Sequence, residues 1–159
     1  MRDPNVRLAL SAPSSYLFGG EGRRIGEREF EQAPVISIVD DDESMREATK
    51  SLVQSLGYRA QVFASAEEFL GSPQLAGTAC LISDVQMPGL SGVQLQDRLR
   101  AAGHPIPMIF ISAFPDEGQK RHVLASGAIG YLPKPFKEDQ LIDCIDAALK
   151  RQRGRRVRR

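Results

Sequence analysis

The sequence predicts an α/β protein: a doubly wound, five-stranded parallel sheet with helices on both faces, in a single domain. Three observations carry this. Short β-branched or apolar runs alternate strictly with stretches of helical periodicity, five times between Pro34 and Lys150, and right-handed crossovers turn that pattern into a parallel sheet. Pro107-Met108-Ile109-Phe110-Ile111 is apolar almost without interruption, so both faces of that strand must be covered. A segment of this length buries roughly 65% of its unfolded surface, enough to fold without a metal or a disulfide.

The elements follow in order. Val35-Ile36-Ser37-Ile38-Val39 is a strand that ends in Asp40, Asp41, Asp42 and Glu43. Met45, Ala48, Leu52 and Leu56 recur at helical spacing and stop at Gly57, as an amphipathic helix with a glycine after its C-cap would. Asp42 is placed to cap it. Tyr58 to Phe63 alternates as a second strand, and Ser65-Ala66-Glu67-Glu68 reads as a capping box opening a short helix through Phe69 and Leu70. Thr78 to Ser83 is the third strand. Leu95, Leu99 and Ala102 mark a helix ended by Gly103, before the apolar fourth strand. Asp116 to Ser126 forms a weaker helix and Ala128 to Leu132 a fifth strand. Leu141, Ile142, Ile145, Ala148 and Leu149 are the inner face of the last helix.

The chain outside this segment is different in kind. Residues 1–33 show no periodicity and read as a disordered extension; Leu8-Ala9-Leu10 is cut off by Ser11 and Pro13, too short for the apolar region of a signal peptide. The formal net charge of +1 conceals a segregation: residues 34–150 carry ten basic and fifteen acidic groups, while 151–159, RQRGRRVRR, hold six arginines and no acid. That ending reads as a solvated, arginine-rich tail. No stretch approaches the roughly 18 consecutive apolar residues of a membrane span. Cys80 and Cys144 are far apart, outside any CxxC pair, and read as buried thiols in a reducing cytoplasm. His104 and His122 have no ligand-spaced partner and read as surface residues.

Ligands of such sheets bind at the carboxyl ends of the strands. The residues there are Asp40 and Asp41 after the first strand, Asp84 after the third, Ser112 after the fourth and Lys134 after the fifth. No glycine-rich phosphate loop of either common kind follows the first strand. Carboxylates crowd the spot instead, and hard oxygen ligands without His or Cys suit magnesium. Phosphoryl transfer uses these parts: a carboxylate as nucleophile, and a metal, an ammonium and a hydroxyl to meet the charge on the transferring oxygens. Each residue alone has a bland reading as a cap, turn or surface residue. Their joint placement at strand ends is what argues for a site.

Val39-Asp40-Asp41-Asp42, Asp84-Val85-Gln86-Met87-Pro88-Gly89 with Ser91-Gly92, Ile111-Ser112-Ala113, and Tyr131-Leu132-Pro133-Lys134-Pro135-Phe136 resemble the receiver domain of two-component response regulators over residues 35–150. ISAFPDE together with YLPKPF looks most like the FixJ-type branch. The resemblance implies a flavodoxin-like (βα)5 order with Asp84 as phosphoacceptor. It also implies Mg2+ on Asp41, Asp84 and the Gln86 backbone carbonyl, with Asp40 helping through water. By the same resemblance Ser112 bonds the phosphoryl group, Lys134 pairs with another of its oxygens, and Tyr131 reports phosphorylation by its inward or outward position. Ala113 leaves room for the phosphodonor, Gln86 and Phe114 occupy positions that tune phosphate lifetime, and the Lys134-Pro135 bond is expected cis. The implied activity is acceptance of a phosphoryl group from a sensor histidine kinase or phosphotransfer protein, then self-hydrolysis. Signalling would run through the fourth helix, fifth strand and fifth helix to a downstream protein, with a homodimer as one form of output.

FixJ-like regulators continue into a helix-turn-helix output domain, for which nine residues leave no room; the expectation is a single-domain regulator or phosphorelay shuttle, a truncated transcriptional regulator, or a pseudo-receiver. Two other classes fit the residues less well. Six clustered arginines could meet nucleic-acid phosphates, but no motif for reading bases accompanies them. Haloacid dehalogenase phosphatases also use a strand-end Asp, but in an Asp-x-Asp pair, and Gln86 stands where the second Asp belongs.

Overall fold

The computed structural model describes residues 32–158, with side chains through Arg155. The extension expected over residues 1–33 therefore lies outside the described residues, except for Gln32 and Ala33. Five strands, β1 (Val35–Val39), β2 (Arg59–Phe63), β3 (Thr78–Asp84), β4 (Met108–Ser112) and β5 (Gly130–Pro133), form one sheet in the order β2-β1-β3-β4-β5. Every pairing is parallel. Between them run α1 (Glu43–Ser55), α2 (Ala66–Leu70), a 3-10 turn (Leu75–Gly77), α3 (Gly92–Ala101) and α4 (Glu117–Ala125), with α5 (Glu138–Arg158) last.

Side chains alternate across the sheet, so each strand feeds two cores. On one face Ile36, Ile38, Cys80, Ile82, Ile109, Ile111 and Leu132 meet Val53 of α1 and Leu141, Ile145, Ala148 and Leu149 of α5. On the other, Val39, Leu81, Met108, Phe110 and Tyr131 meet Phe69 of α2, Leu95 and Leu99 of α3 and Val123 of α4. All five residues of β4 are buried, as its unbroken apolar run requires. The order turns around β1, whose two neighbours are β2 and β3, so the crevice between the carboxyl ends of β1 and β3 is the place where such a sheet takes a ligand.

Local signals set the helix starts. Asp42 caps α1 by accepting from Met45 N, as expected. Ser65 accepts from Glu68 N, but Glu68 reaches back to Ala64 N rather than to the cap itself, so the expected capping box is only half formed. A complete capping box, Ser91 with Gln94, starts α3 instead.

Two helices differ from the sequence expectation. In α1 the buried positions are Thr49 and Val53, while Ala48 is exposed. The inner face is centred one residue further on because Thr49 satisfies its hydroxyl within the helix, donating to Met45 O at 2.9 Å. In α5 the arginine-rich segment does not form a separate tail: the helix continues through Arg158. Arg151 and Arg155, one turn apart, donate to Gly127 O and Pro105 O, tying that end of the helix to the loops at the amino ends of β5 and β4. Among the thiols, Cys80 is buried but Cys144 only half so, and neither is in a disulfide. No helix among the described residues is long and apolar enough to cross a membrane.

Candidate functional site

Four strand ends converge on one rim. Asp40 follows β1, is buried, and is held on three sides: Asp42 N donates to its Oδ1 at 2.9 Å, Lys134 Nζ lies 3.5 Å from its Oδ2, and Arg46 donates to its carbonyl at 2.8 Å. Asp84 is the last residue of β3 and only 6% exposed. Its Oδ2 lies 3.5 Å from the same ammonium, while its Oδ1 is buried with no hydrogen-bond partner. Asp41 is exposed, but one carboxylate oxygen from each of Asp40, Asp41 and Asp84 falls within 4.8 Å of the others.

The charge balance of this cluster is unfinished. Three carboxylates share one ammonium, with the Arg46 guanidinium behind them on the Asp40 carbonyl, so the cluster at the ends of β1 and β3 stays net negative. Burial, and then the neighbouring Asp40, push the Asp84 carboxyl up to about 6, against the pull of Lys134. A buried carboxylate oxygen without a donor, beside two further carboxylates, is the chemistry of a divalent oxygen-ligated cation. The residues present, Asp40, Asp41 and Asp84, therefore fit a divalent cation such as Mg2+.

Ser112 ends β4 and is fully buried. Its hydroxyl donates to Gln86 Oε1 at 3.3 Å and accepts from Phe114 N at 3.2 Å. Gln86 is exposed at the mouth of the site. Lys134 N donates to Ser112 O at 2.8 Å, which couples the hydroxyl-bearing strand end to the lysine. The Lys134-Pro135 bond is cis. Phe114, 74% exposed, stands beside Ser112, and Ala113 is exposed as well.

Tyr131 lies inward, buried against the α3 and α4 side of the sheet. Its hydroxyl donates to Gln119 Oε1 at 2.8 Å and accepts from Asp116 N at 3.1 Å, so it is bonded to the first turn of α4. Sequence reasoning singled out Tyr131 but not these partners. Two residues named there only as members of motifs, Gly92 and Glu67, turn out to shape the Asp84 loop. Gly92 donates to Val85 O at 2.9 Å, and a Cβ there would stand 2.3 Å from Asp84 O, so only glycine lets α3 start so close to the end of β3. Glu67 of α2 accepts from Leu90 N at 3.0 Å, a bond that holds its carboxyl below the usual range. Of the two histidines, His122 is exposed and His104 half-buried; neither belongs to this cluster.

Comparison with known proteins agrees with this geometry. Residues 36–146 match the model of the response regulator receiver domain. The response regulator protein TodT of Pseudomonas putida is 42% identical over 120 residues, covering 76% of this chain and 53% of that protein. The transcriptional regulatory protein FixJ of Bradyrhizobium diazoefficiens is 33% identical over 115 residues, covering 72% and 56%. The solved structure of the response regulator StyR superimposes with a TM-score of 0.73 at 39% identity, covering 78% of this chain and 63% of that one. The chain spans a little over half the length of the curated relatives it matches. The chain belongs to the response regulator receiver domain family, on the branch that includes FixJ.

Proposed function

We propose that this domain is a phosphorylation-dependent switch whose phosphoacceptor is Asp84. The observation that carries the reading is the Asp84 carboxylate itself: buried at the end of β3, one oxygen beside the Lys134 ammonium and the other without any hydrogen-bond partner. An Asp84 oxygen attacks the phosphorus of a phosphohistidine on a sensor kinase or phosphotransfer protein. The P–N bond breaks, its electron pair stays on the imidazole nitrogen, and that nitrogen takes up a proton. Lys134 moves from pairing with carboxylates to pairing with a phosphoryl oxygen, and Ser112 gives up Gln86 to donate to another. Asp41, Asp84 and the Gln86 backbone carbonyl, with Asp40 behind them, would hold Mg2+, which would supply charge neutralisation to the phosphoryl oxygens. Water later attacks phosphorus, the acyl P–O bond breaks, and carboxylate and inorganic phosphate are regenerated.

Withdrawal of Ser112 toward the phosphoryl group alters the β4–α4 loop that also carries Phe114 and Asp116. Asp116 N is bonded to Tyr131, so the α4, β5 and α5 face changes with it. A downstream protein, or a second copy of the domain, reads that face. Relatives named as transcriptional regulators favour a transcriptional output, reached through segments beyond the receiver. The setting is the cytoplasm, where a histidine kinase presents its phosphohistidine. The test is 31P NMR of the protein with acetyl phosphate and Mg2+. An acyl-phosphate resonance that Asp84→Asn abolishes and that decays to inorganic phosphate supports the reading; no such resonance in folded protein overturns it.

A further inference from the structure

The arginines of α5 build a second polar feature at the opposite end of the sheet. A crevice of about 340 Å³ opens between the end of α3, the loop leading into β4, the α4–β5 loop and the last turns of α5. Gln96, Arg100, His104, Ser126, Arg151 and Arg155 are among its walls, and no carboxylate is. It lies at the amino ends of β4 and β5, roughly 15 Å of strand away from the Asp84 rim. Its volume is at the small end of the range of ligand sites.

Three features make it a built site rather than a charged surface. Arg151 and Arg155 each spend one N–H on a loop carbonyl, of Gly127 and Pro105 respectively. A guanidinium carries five N–H donors, so both forks are fixed in place with donors to spare, and fixed forks are what bidentate oxyanion recognition needs. None of Arg100, Arg151 and Arg155 is ion-paired among the described residues. Partial burial and the proximity of Arg155 both act against the charge on Arg151, a strain that an anion would relieve. Gln96, finally, is 3% exposed; its Nε2 donates to Val123 O at 3.2 Å, but its Oε1 is buried with no partner. Gln96 is one of the residues around the crevice, and a buried amide oxygen without a partner calls for a donor.

We infer that this crevice binds a small phosphate monoester carrying a hydroxyl or amine, its phosphate on the three arginines and its donor on Gln96 Oε1. Three guanidinium forks exceed what the two oxygens of a carboxylate accept, whereas a phosphate monoester offers three terminal oxygens. The acceptor at Gln96 answers the polar remainder of the ligand. The inference is independent of the phosphoacceptor reading, since it uses none of the strand-end residues.

The test is isothermal titration of the whole chain in EDTA, where the carboxylate rim repels anions, with ribose 5-phosphate, inorganic phosphate and ribose as probes. The expected result is saturable 1:1 binding of ribose 5-phosphate, weaker binding of inorganic phosphate and none of ribose. Arg151→Ser and Arg155→Ser each weaken binding about tenfold, the scale of one charge-assisted contact. Arg153→Ser, on the same helix but exposed and outside the crevice, leaves it within about twofold. Gln96→Met removes the advantage of ribose 5-phosphate over inorganic phosphate; should that variant fail to fold, the arginine variants decide alone. Absence of saturable binding up to about 10 mM overturns the inference. So does equal weakening by Arg153→Ser, which would reduce the effect to diffuse attraction toward an arginine-rich helix.

Discussion

Replacing Asp84 by Asn should stabilise the metal-free domain, and increasingly so as pH rises. The ordinary carboxyl value is 3.8, and burial together with Asp40 raises Asp84 to about 6 in the fold. A group whose pKa is raised on folding binds its proton more tightly in the folded state, so the folded state loses stability as pH climbs from below 3.8 to above 6. At about 1.36 kcal/mol per unit, two units correspond to a cost of about 3 kcal/mol at pH 8 and about half that at pH 5. The rim opens to solvent at Asp41 and Gln86, so screening makes these upper values. Asn keeps the shape, cannot ionise, and offers an amide N–H to the adjacent Asp40 carboxylate. Urea unfolding in EDTA at pH 5 and pH 8 measures the difference. The expected outcome is an Asn variant more stable than the parent at pH 8, by about twice its margin at pH 5. A margin that is equal at the two pH values, or smaller at pH 8, would refute the electrostatic account of this carboxylate.

Mg2+ should act in the opposite direction on the parent: at ten times its dissociation constant it adds about 1.4 kcal/mol to stability, and the double variant Asp41→Asn, Asp84→Asn should lose that gain in the same urea titration. Gly92→Ala places a methyl group 2.3 Å from the Asp84 carbonyl and should cost about 2 kcal/mol or more, read as a lowered urea midpoint; an unchanged midpoint would mean that α3 shifts freely. Tyr131→Phe removes two hydrogen bonds to the start of α4 and should cost about 1–3 kcal/mol, with faster exchange at the Asp116 amide, which loses its acceptor. Ser65→Ala should cost about 1 kcal/mol through loss of its bond to Glu68 N, with no effect on Mg2+ affinity.

The fold and the candidate site were legible to different depths. Continuous apolar strands and caps such as Asp42 act within a few residues of themselves, so the five alternations and the strand-end positions of Asp40, Asp84, Ser112 and Lys134 could be read directly. Faces were less legible. Ala48 suits an inner position by composition, but Thr49, whose hydroxyl is satisfied inside the helix, is buried instead. The arginine-rich ending looked like a solvated tail because charge suggests exposure. In the structure, Arg151 and Arg155 find loop carbonyls instead, of Gly127 and Pro105, and those carbonyls belong to loops far away in sequence. The same separation hid Gln119 and Asp116 as partners of Tyr131, and Gln86 as partner of Ser112. Gly92 stood within a recognisable motif, but the close approach that demands glycine there appears only once α3 is docked on β3.

The central claim is that Asp84 accepts the phosphoryl group, and borohydride trapping tests it at the level of the residue. After incubation with acetyl phosphate and Mg2+, reduction of an aspartyl phosphate leaves homoserine, which peptide mass spectrometry locates. The account predicts homoserine at position 84, and none when magnesium is chelated. Homoserine at Asp40 or Asp41 instead, or at no position in folded protein, would contradict it.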